Sequence, residues 1–333
     1  MTTATTPTAA TSSWLDRTGP AAFVLLSAYA VVRACWQVLG FPGDMAPGDI
    51  KSDLVGFTGW AGVALPLSGA VVAAGHIRRP SGVGARRALL IAGPVVGLAL
   101  VAAGALFLLD LMAMMFPGIG LEFLPAGMLS RLVCVGSGTL LLLSSLAFVN
   151  DVRRACRRCG RTEKSVGRLD TTPRWAYIAA YVAVGGCVVR IIAQAAVGFG
   201  ENPLSSGVAA MAFEGGFLLA GSLLPLALVH GWGRRWPRWV PFLASRRIPR
   251  WLVLGPGTGV SAGIVVYFGI MLVVMVGERL QGRNPFPPTG GLDLPETFFW
   301  FAVPAYFIWG CGMAVAAAAY FLRTRPVCRR CGR

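Results

Sequence analysis

Residues 88–112 read ALLIAGPVVGLALVAAGALFLLDLM, a stretch with a single charge, Asp110. About 20 consecutive apolar residues cross the hydrocarbon core of a bilayer as one helix. This stretch therefore sets the class: an integral membrane protein. Its glycines and proline are no obstacle, because packed neighbours in lipid satisfy freed backbone groups. Comparable stretches on either side predict further spans at 20–40, 54–75, 127–149, 175–197, 207–230, 251–277 and 298–322. The expected fold is all-α, with eight transmembrane helices.

Composition agrees. The chain is 55% apolar and only 13% charged, against about 25% charged in soluble domains. A soluble enzyme, a disordered scaffold and a secreted disulfide module are excluded. Residues 1–19 are expected to form a disordered cytoplasmic tail. They lack the basic start, apolar run and cleavage site of a signal peptide.

The net charge of +16 is a topology signal. The N-terminal tail, the loops 76–87, 150–174 and 231–250, and the tail after 322 hold 1, 4, 8, 6 and 5 Lys/Arg residues. The opposite loops hold Lys51, Arg279 and Arg283 with eight acids. Cytoplasmic loops carry the basic excess, so both termini are expected in the cytoplasm. The basic face should touch anionic lipid, and no basic stretch is large enough to bind nucleic acid as a domain of its own. The loop 231–251, GWGRRWPRWVPFLASRRIPRW, mixes tryptophan and arginine as interfacial segments do. Arginine outnumbers lysine 28 to 2, the bias of a high-GC bacterial genome, which places the chain in a bacterial plasma membrane.

Self-comparison divides the chain. CRRCGR occurs at 156–161 and at 328–333. VVRxxxQ occurs in the first span of each half, with Arg33 and Gln37 matching Arg190 and Gln194. LxxGPxxG opens the third span of each half, with Gly93, Pro94 and Gly97 matching Gly255, Pro256 and Gly259. Three motifs in one order predict a tandem 4+4 repeat: 20–161 and 175–333, joined by a cytoplasmic linker at 162–174. Four spans per repeat give both halves the same direction, and hence a symmetry axis along the membrane normal. The paired glycines should let helices pack closely, and each proline should bend its helix. Gly259 to Gly263 also matches the GxSxG nucleophile pattern, but it lies mid-span with no histidine at that depth, so it reads as a packing face.

Cys156 and Cys159, and Cys328 and Cys331, form CxxC knuckles on the expected cytoplasmic side, where stable disulfides are not expected. Two such knuckles supply the four thiolates of a closed zinc site, and the repeat axis carries both pairs to one face. A structural zinc joining the repeats is therefore expected. Four cysteine ligands leave no open position for catalysis. The other cysteines read as small buried hydrophobes.

Arg33, Asp110, Arg131, Arg190 and Glu214 fall inside spans, all in the outer half of the expected topology. Charges within spans are normally paired and mark functional sites. With Gln37 and Gln194 they form either buried ion pairs or an outward-facing site for an anionic lipid or solute. No set of catalytic residues stands out. The expectation is a non-catalytic scaffold, sensor or accessory subunit with a protein partner. A permease or binding protein for an anion is the alternative, and a membrane-embedded enzyme comes after that.

Overall fold

The computed structural model describes residues 14–40, 59–115, 124–156, 159–163, 167–198, 208–236, 246–286, 294–328 and 331–332, with side chains in the seventh helix described from Gly215 onward. Among these residues the chain is helical, with one isolated β-bridge between Arg235 and Arg247. A 3₁₀ turn, Trp14–Arg17, leads into α1 (Thr18–Leu39). There follow α2 (Ala61–Arg78), α3 (Val83–Ala103), α4 (Phe107–Met115) and α5 (Pro125–Val152). The second half holds α6 (Arg174–Val197), α7 (Val208–Val229), α8 (Arg250–Leu280) and α9 (Glu296–Thr324).

Among the described residues, seven segments are long and apolar enough to cross a membrane, α3 and α4 counting as one. The remaining predicted span, 207–230, coincides with α7. The expected tail is outside the described residues as far as residue 13, and helical structure begins at Trp14, ahead of the expected limit at 19. The start of the span at 54–75 and residues 237–245 of the Trp/Arg loop also lie outside them.

The two prolines expected to bend their helices, Pro94 in α3 and Pro256 in α8, both lie inside helical segments. The third span is interrupted further on, at Gly104–Leu106, where α3 gives way to α4. Gly104 lies against α5 there: a Cβ at Gly104 would stand 2.9 Å from the Arg131 carbonyl oxygen. Close backbone approach is the reason for glycine at this joint.

Each half forms its own four-helix bundle. In the first, α1 packs on α2 and α5, and α3 packs on α2 and α5. In the second, α6 packs on α7 and α9, and α8 packs on α7 and α9. The pairs correspond one for one. Between the halves α3 meets α8, and Leu108 of α4 lies against Gly263 of α8.

The second core shows how the sequence builds such a bundle. Ala176, Ala180, Ala183 and Cys187 recur on one face of α6, and Trp309, Met313, Ala316 and Tyr320 on one face of α9. Small residues on one helix meet large ones on the other. Gly186 lies against the Ala305 carbonyl and Trp309, and Gly312 against the Ala179 carbonyl. Between helices in lipid, such close contact supplies the van der Waals energy that the hydrophobic effect does not. The first core packs Ala22 and Leu26, Ala70 and Ala73, Leu100, and Leu141 from its four helices.

Candidate metal centre

Both CxxC segments lie just beyond the last helix of their half, α5 and α9. Each is closed by the same backbone hydrogen bond. The Gly160 N–H donates to the Cys156 carbonyl at 2.7 Å, and the Gly332 N–H to the Cys328 carbonyl at 2.9 Å. Gly160 and Gly332 adopt φ of 67° and 70°, a left-handed conformation that glycine takes without steric cost. The sequence CxxCG therefore places two sulfurs on one side of a tight loop, twice over.

The two loops face each other. The four sulfurs of Cys156, Cys159, Cys328 and Cys331 lie within 4.8 Å of one another, and Cys159 Sγ is 3.5 Å from Cys331 Sγ. None is in a disulfide. A tetrahedral ion with metal–sulfur bonds of about 2.3 Å needs sulfurs about 3.8 Å apart, so small side-chain shifts suffice to hold a metal ion. Cys328 is buried and the other three are half-buried.

Arginines brace the junction. Arg161 Nη2 donates to the Pro326 carbonyl at 2.9 Å, and the Arg161 carbonyl accepts from the Cys156 N–H at 3.0 Å. In the other direction Arg325 Nη2 donates to the Gly167 carbonyl at 2.6 Å. Burial first, and then the charge of Arg161, lowers the pKa of Arg325. As a free thiol Cys159 is pushed up to about 12, by burial above all and by the three neighbouring sulfurs, against the lowering effect of a backbone hydrogen bond at Arg161. Arg157, Arg158, Arg329, Arg330 and Arg333 lie outside the described residues.

The residues expected to form one intramembrane cluster are divided between the bundles. In the first, Arg131 Nη1 donates to both oxygens of Asp110, at 2.7 and 2.9 Å, with Asp110 fully buried and Arg131 4% exposed. Half-buried Arg33 lines a cavity with Arg131. Gln37 is exposed. In the second, Arg190 Nε donates to the Tyr306 hydroxyl at 2.7 Å and its guanidinium lies 5.8 Å from that ring. Gln194 is buried and closes the end of α6, its Nε2 donating to the Gly198 carbonyl at 3.0 Å. The Glu214 side chain lies outside the described residues. The two pairs seen, Asp110 with Arg131 of α5 and Arg190 with Tyr306 of α9, each stay within one bundle.

The repeated glycines also separate. A Cβ on Gly93 would stand 2.9 Å from His76 Cε1, and one on Gly97 would stand 2.8 Å from Leu142 Cδ2. Gly255 and Gly259 have open space where a Cβ would stand. The second pair therefore makes no close helix contact within the described chain, and in α8 that part falls to Gly257 and Gly263, against Leu228 and Leu108.

Four polar residues of consequence are absent from the sequence-level set. Tyr29 and Ser130 line the cavity with Arg33. His76 is buried with Nδ1 3.1 Å from Ser144 Oγ. Arg323 donates to the Val229 and Leu228 carbonyls at 3.0 Å each and to Thr172 Oγ1, tying α9 to the end of α7. Tyr29 precedes Arg33 by one helical turn, so helical spacing pointed to it; Ser130, next to Arg131 in sequence, had no such signal.

Comparison of the chain with known protein families, characterised proteins and solved structures finds no match.

Proposed function

We propose that this chain is a non-catalytic, multi-pass protein of the bacterial plasma membrane, a scaffold or accessory subunit whose two repeats are clipped together by a structural zinc ion. The observation that carries the reading is the convergence of four sulfurs, two from the end of each half, within 4.8 Å. Zinc is the natural occupant, since four thiolates in a tetrahedral set suit a closed site that holds structure without reacting.

Two further observations support the repeat. The helix pairs within the bundles correspond, and the halves meet through equivalent elements, third span with third span and knuckle with knuckle. A two-fold axis along the membrane normal produces such like-to-like contacts, as in a C₂ dimer. The repeat thus descends from a homodimer that shared one zinc between identical subunits. In this reading the knuckles, both termini and the basic loops face the cytoplasm and anionic lipid, and a partner polypeptide supplies the activity.

Metal analysis of the purified protein, with native mass spectrometry after gentle release from the membrane, tests this. The expected result is one zinc per chain, lost in Cys328→Ser and in Cys159→Ser, with a partner polypeptide retained. Unchanged zinc in Cys328→Ser, or no zinc in the unaltered protein, overturns the clip. A second reading, a binding protein or permease for an anion, is favoured by one observation: two arginines line a buried cavity in the first bundle.

A further inference from the structure

Between residues 231 and 250 the chain carries six arginines and no acid. We infer that the described part of this segment, with the cytoplasmic end of α9, forms a site for the phosphate headgroup of one anionic phospholipid, and that Arg234 and Arg250 are its donors. The inference rests on the reading above that sets the basic loops against anionic lipid. It gives that contact a place and a headgroup chemistry.

The fold gathers the arginines from three segments. The Ile248 N–H donates to the Arg234 carbonyl and the Trp236 N–H to the Arg246 carbonyl, each at 3.0 Å, so the two ends of the loop lie side by side. Next to Arg234, the Gly233 carbonyl accepts from the Tyr320 hydroxyl of α9 at 3.4 Å. Arg250 opens α8, and its guanidinium lies 4.9 Å from the Trp251 ring and 5.4 Å from the Phe321 ring. Arg323 lies 5.6 Å from the Tyr320 ring. Arg234 and Arg250 thus flank the turn of α9 that carries Tyr320, Phe321 and Arg323, and the charges of all three arginines act on Tyr320.

No carboxylate answers them. None of the three has an ion pair among the described residues. Arg323 is buried and donates to the neutral oxygens of Thr172, Leu228 and Val229, which satisfies its hydrogen bonds and leaves its charge. Arg250 is half-buried, and its guanidinium makes no hydrogen bond among the described residues. Held against two rings, it has already given up part of its side-chain freedom, while its fork stays open for an acceptor. Phosphate takes such a fork with two parallel bonds. The start of α8 has no side-chain cap, and a helix N-terminus adds to the attraction for an anion. The first bundle differs: Arg79 follows α2 as Arg234 follows α7, and Arg79 lies between Asp16 and Asp151, at 3.6 and 3.4 Å.

The apolar surroundings decide what carries the phosphate. Trp251, Leu252 and Phe321, all beside Arg250, are 64%, 53% and 42% exposed. A free phosphate gains nothing from that surface. A phospholipid lays its acyl chains along α8 and α9 while its headgroup stays with the arginines, and tryptophan at the headgroup level suits the same boundary.

The test is native mass spectrometry of the purified full-length protein, released from nanodiscs of phosphatidylcholine and phosphatidylglycerol in equal amounts. The unaltered protein should keep one phosphatidylglycerol under activation that strips phosphatidylcholine. Arg250→Gln and Arg234→Gln should each lower that retention about fivefold, and Arg250→Lys should lower it less. Arg87→Gln, which takes the same charge from an exposed position in the first bundle, should leave it unchanged. Arg234 is exposed, so its variant tests the site even where Arg250→Gln lowers the thermal midpoint in phosphatidylcholine alone. Retention unchanged in Arg234→Gln and Arg250→Lys overturns the site. An equal loss in Arg87→Gln also overturns it, and leaves a diffuse contact between the basic face and anionic lipid. Displacement of the lipid by added inorganic phosphate makes this a site for free phosphate and overturns the lipid. No preference for phosphatidylglycerol over phosphatidylcholine removes both the site and the reading on which it rests.

Discussion

Changing Asp110 to asparagine strands a charge. Arg131 is 4% exposed, and its Nη1 holds both Asp110 oxygens at 2.7 and 2.9 Å. An asparagine keeps the shape and one acceptor but removes the countercharge. Breaking a buried pair from one side costs about 3–5 kcal/mol, most of it the penalty for the charge left behind. Arg131→Met alone should cost a similar amount, because the buried Asp110 carboxylate then loses the guanidinium that donates to it. In the Asp110→Asn/Arg131→Met double variant neither member of the pair is left without the other, so the double should cost less than the two singles added. A coupling of about 2–3 kcal/mol is expected, near the top of the range for residues in contact. Unfolding of the four proteins in mixed micelles of rising SDS content, followed by far-ultraviolet circular dichroism, measures all corners of this cycle. The exposed Arg283–Glu278 pair serves as control, and Glu278→Gln should leave the transition where it was. An Asp110→Asn loss below about 1 kcal/mol, or additive single effects, would refute the assignment of this pair as a buried structural link between α4 and α5.

Three further outcomes are expected from the same assay. Gly93→Ala and Gly97→Ala, where a methyl meets His76 and Leu142, should each lose about 1–3 kcal/mol through overpacking. The matching Gly255→Ala and Gly259→Ala, which meet open space, should stay within about 1 kcal/mol of the parent or gain slightly in helix propensity. Arg323→Gln removes two charged hydrogen bonds to the Leu228 and Val229 carbonyls, at a cost of about 1.5–3 kcal/mol for each such bond left unmade, and Arg323→Lys should recover only part because an ammonium lacks the forked geometry. Trp309→Ala empties a fully buried site between Gly186, Gly221 and Phe217 and should cost about 3–5 kcal/mol.

How much of this was legible in the sequence depends on the range of the interaction. Hydropathy over 20 residues located each helix, with ends off by up to seven residues as at α2, since crossing lipid is a property of each segment alone. The cysteines could be brought together on paper because CRRCGR occurs twice and repeats imply symmetry. The Asp110–Arg131 pair was half legible: both residues were conspicuous as charges in apolar runs, and their pairing depended on how α4 turns back onto α5 at Gly104. The partners of Arg33 and Arg190 were not legible. Identical VVRxxxQ segments lead to a cavity in one bundle and to Tyr306, 116 residues away, in the other, because what surrounds each arginine is decided by the fourth helix of its half. The same holds for GPxxG, whose glycines are packed in α3 and open in α8. A motif that occurs in both halves keeps its letters where its surroundings differ.

The distance along the chain between the two knuckles has a consequence for biosynthesis. Cys159 and Cys331 are separated by 172 residues. At about 5–20 residues per second, the first pair waits roughly 10–30 seconds for the second to emerge. Throughout that interval Cys156 and Cys159 are an incomplete, two-sulfur ligand set. They must neither oxidise nor keep a badly matched ion while four more helices are inserted. The four-cysteine cluster is therefore complete only late in synthesis, after the second half of the chain has been made.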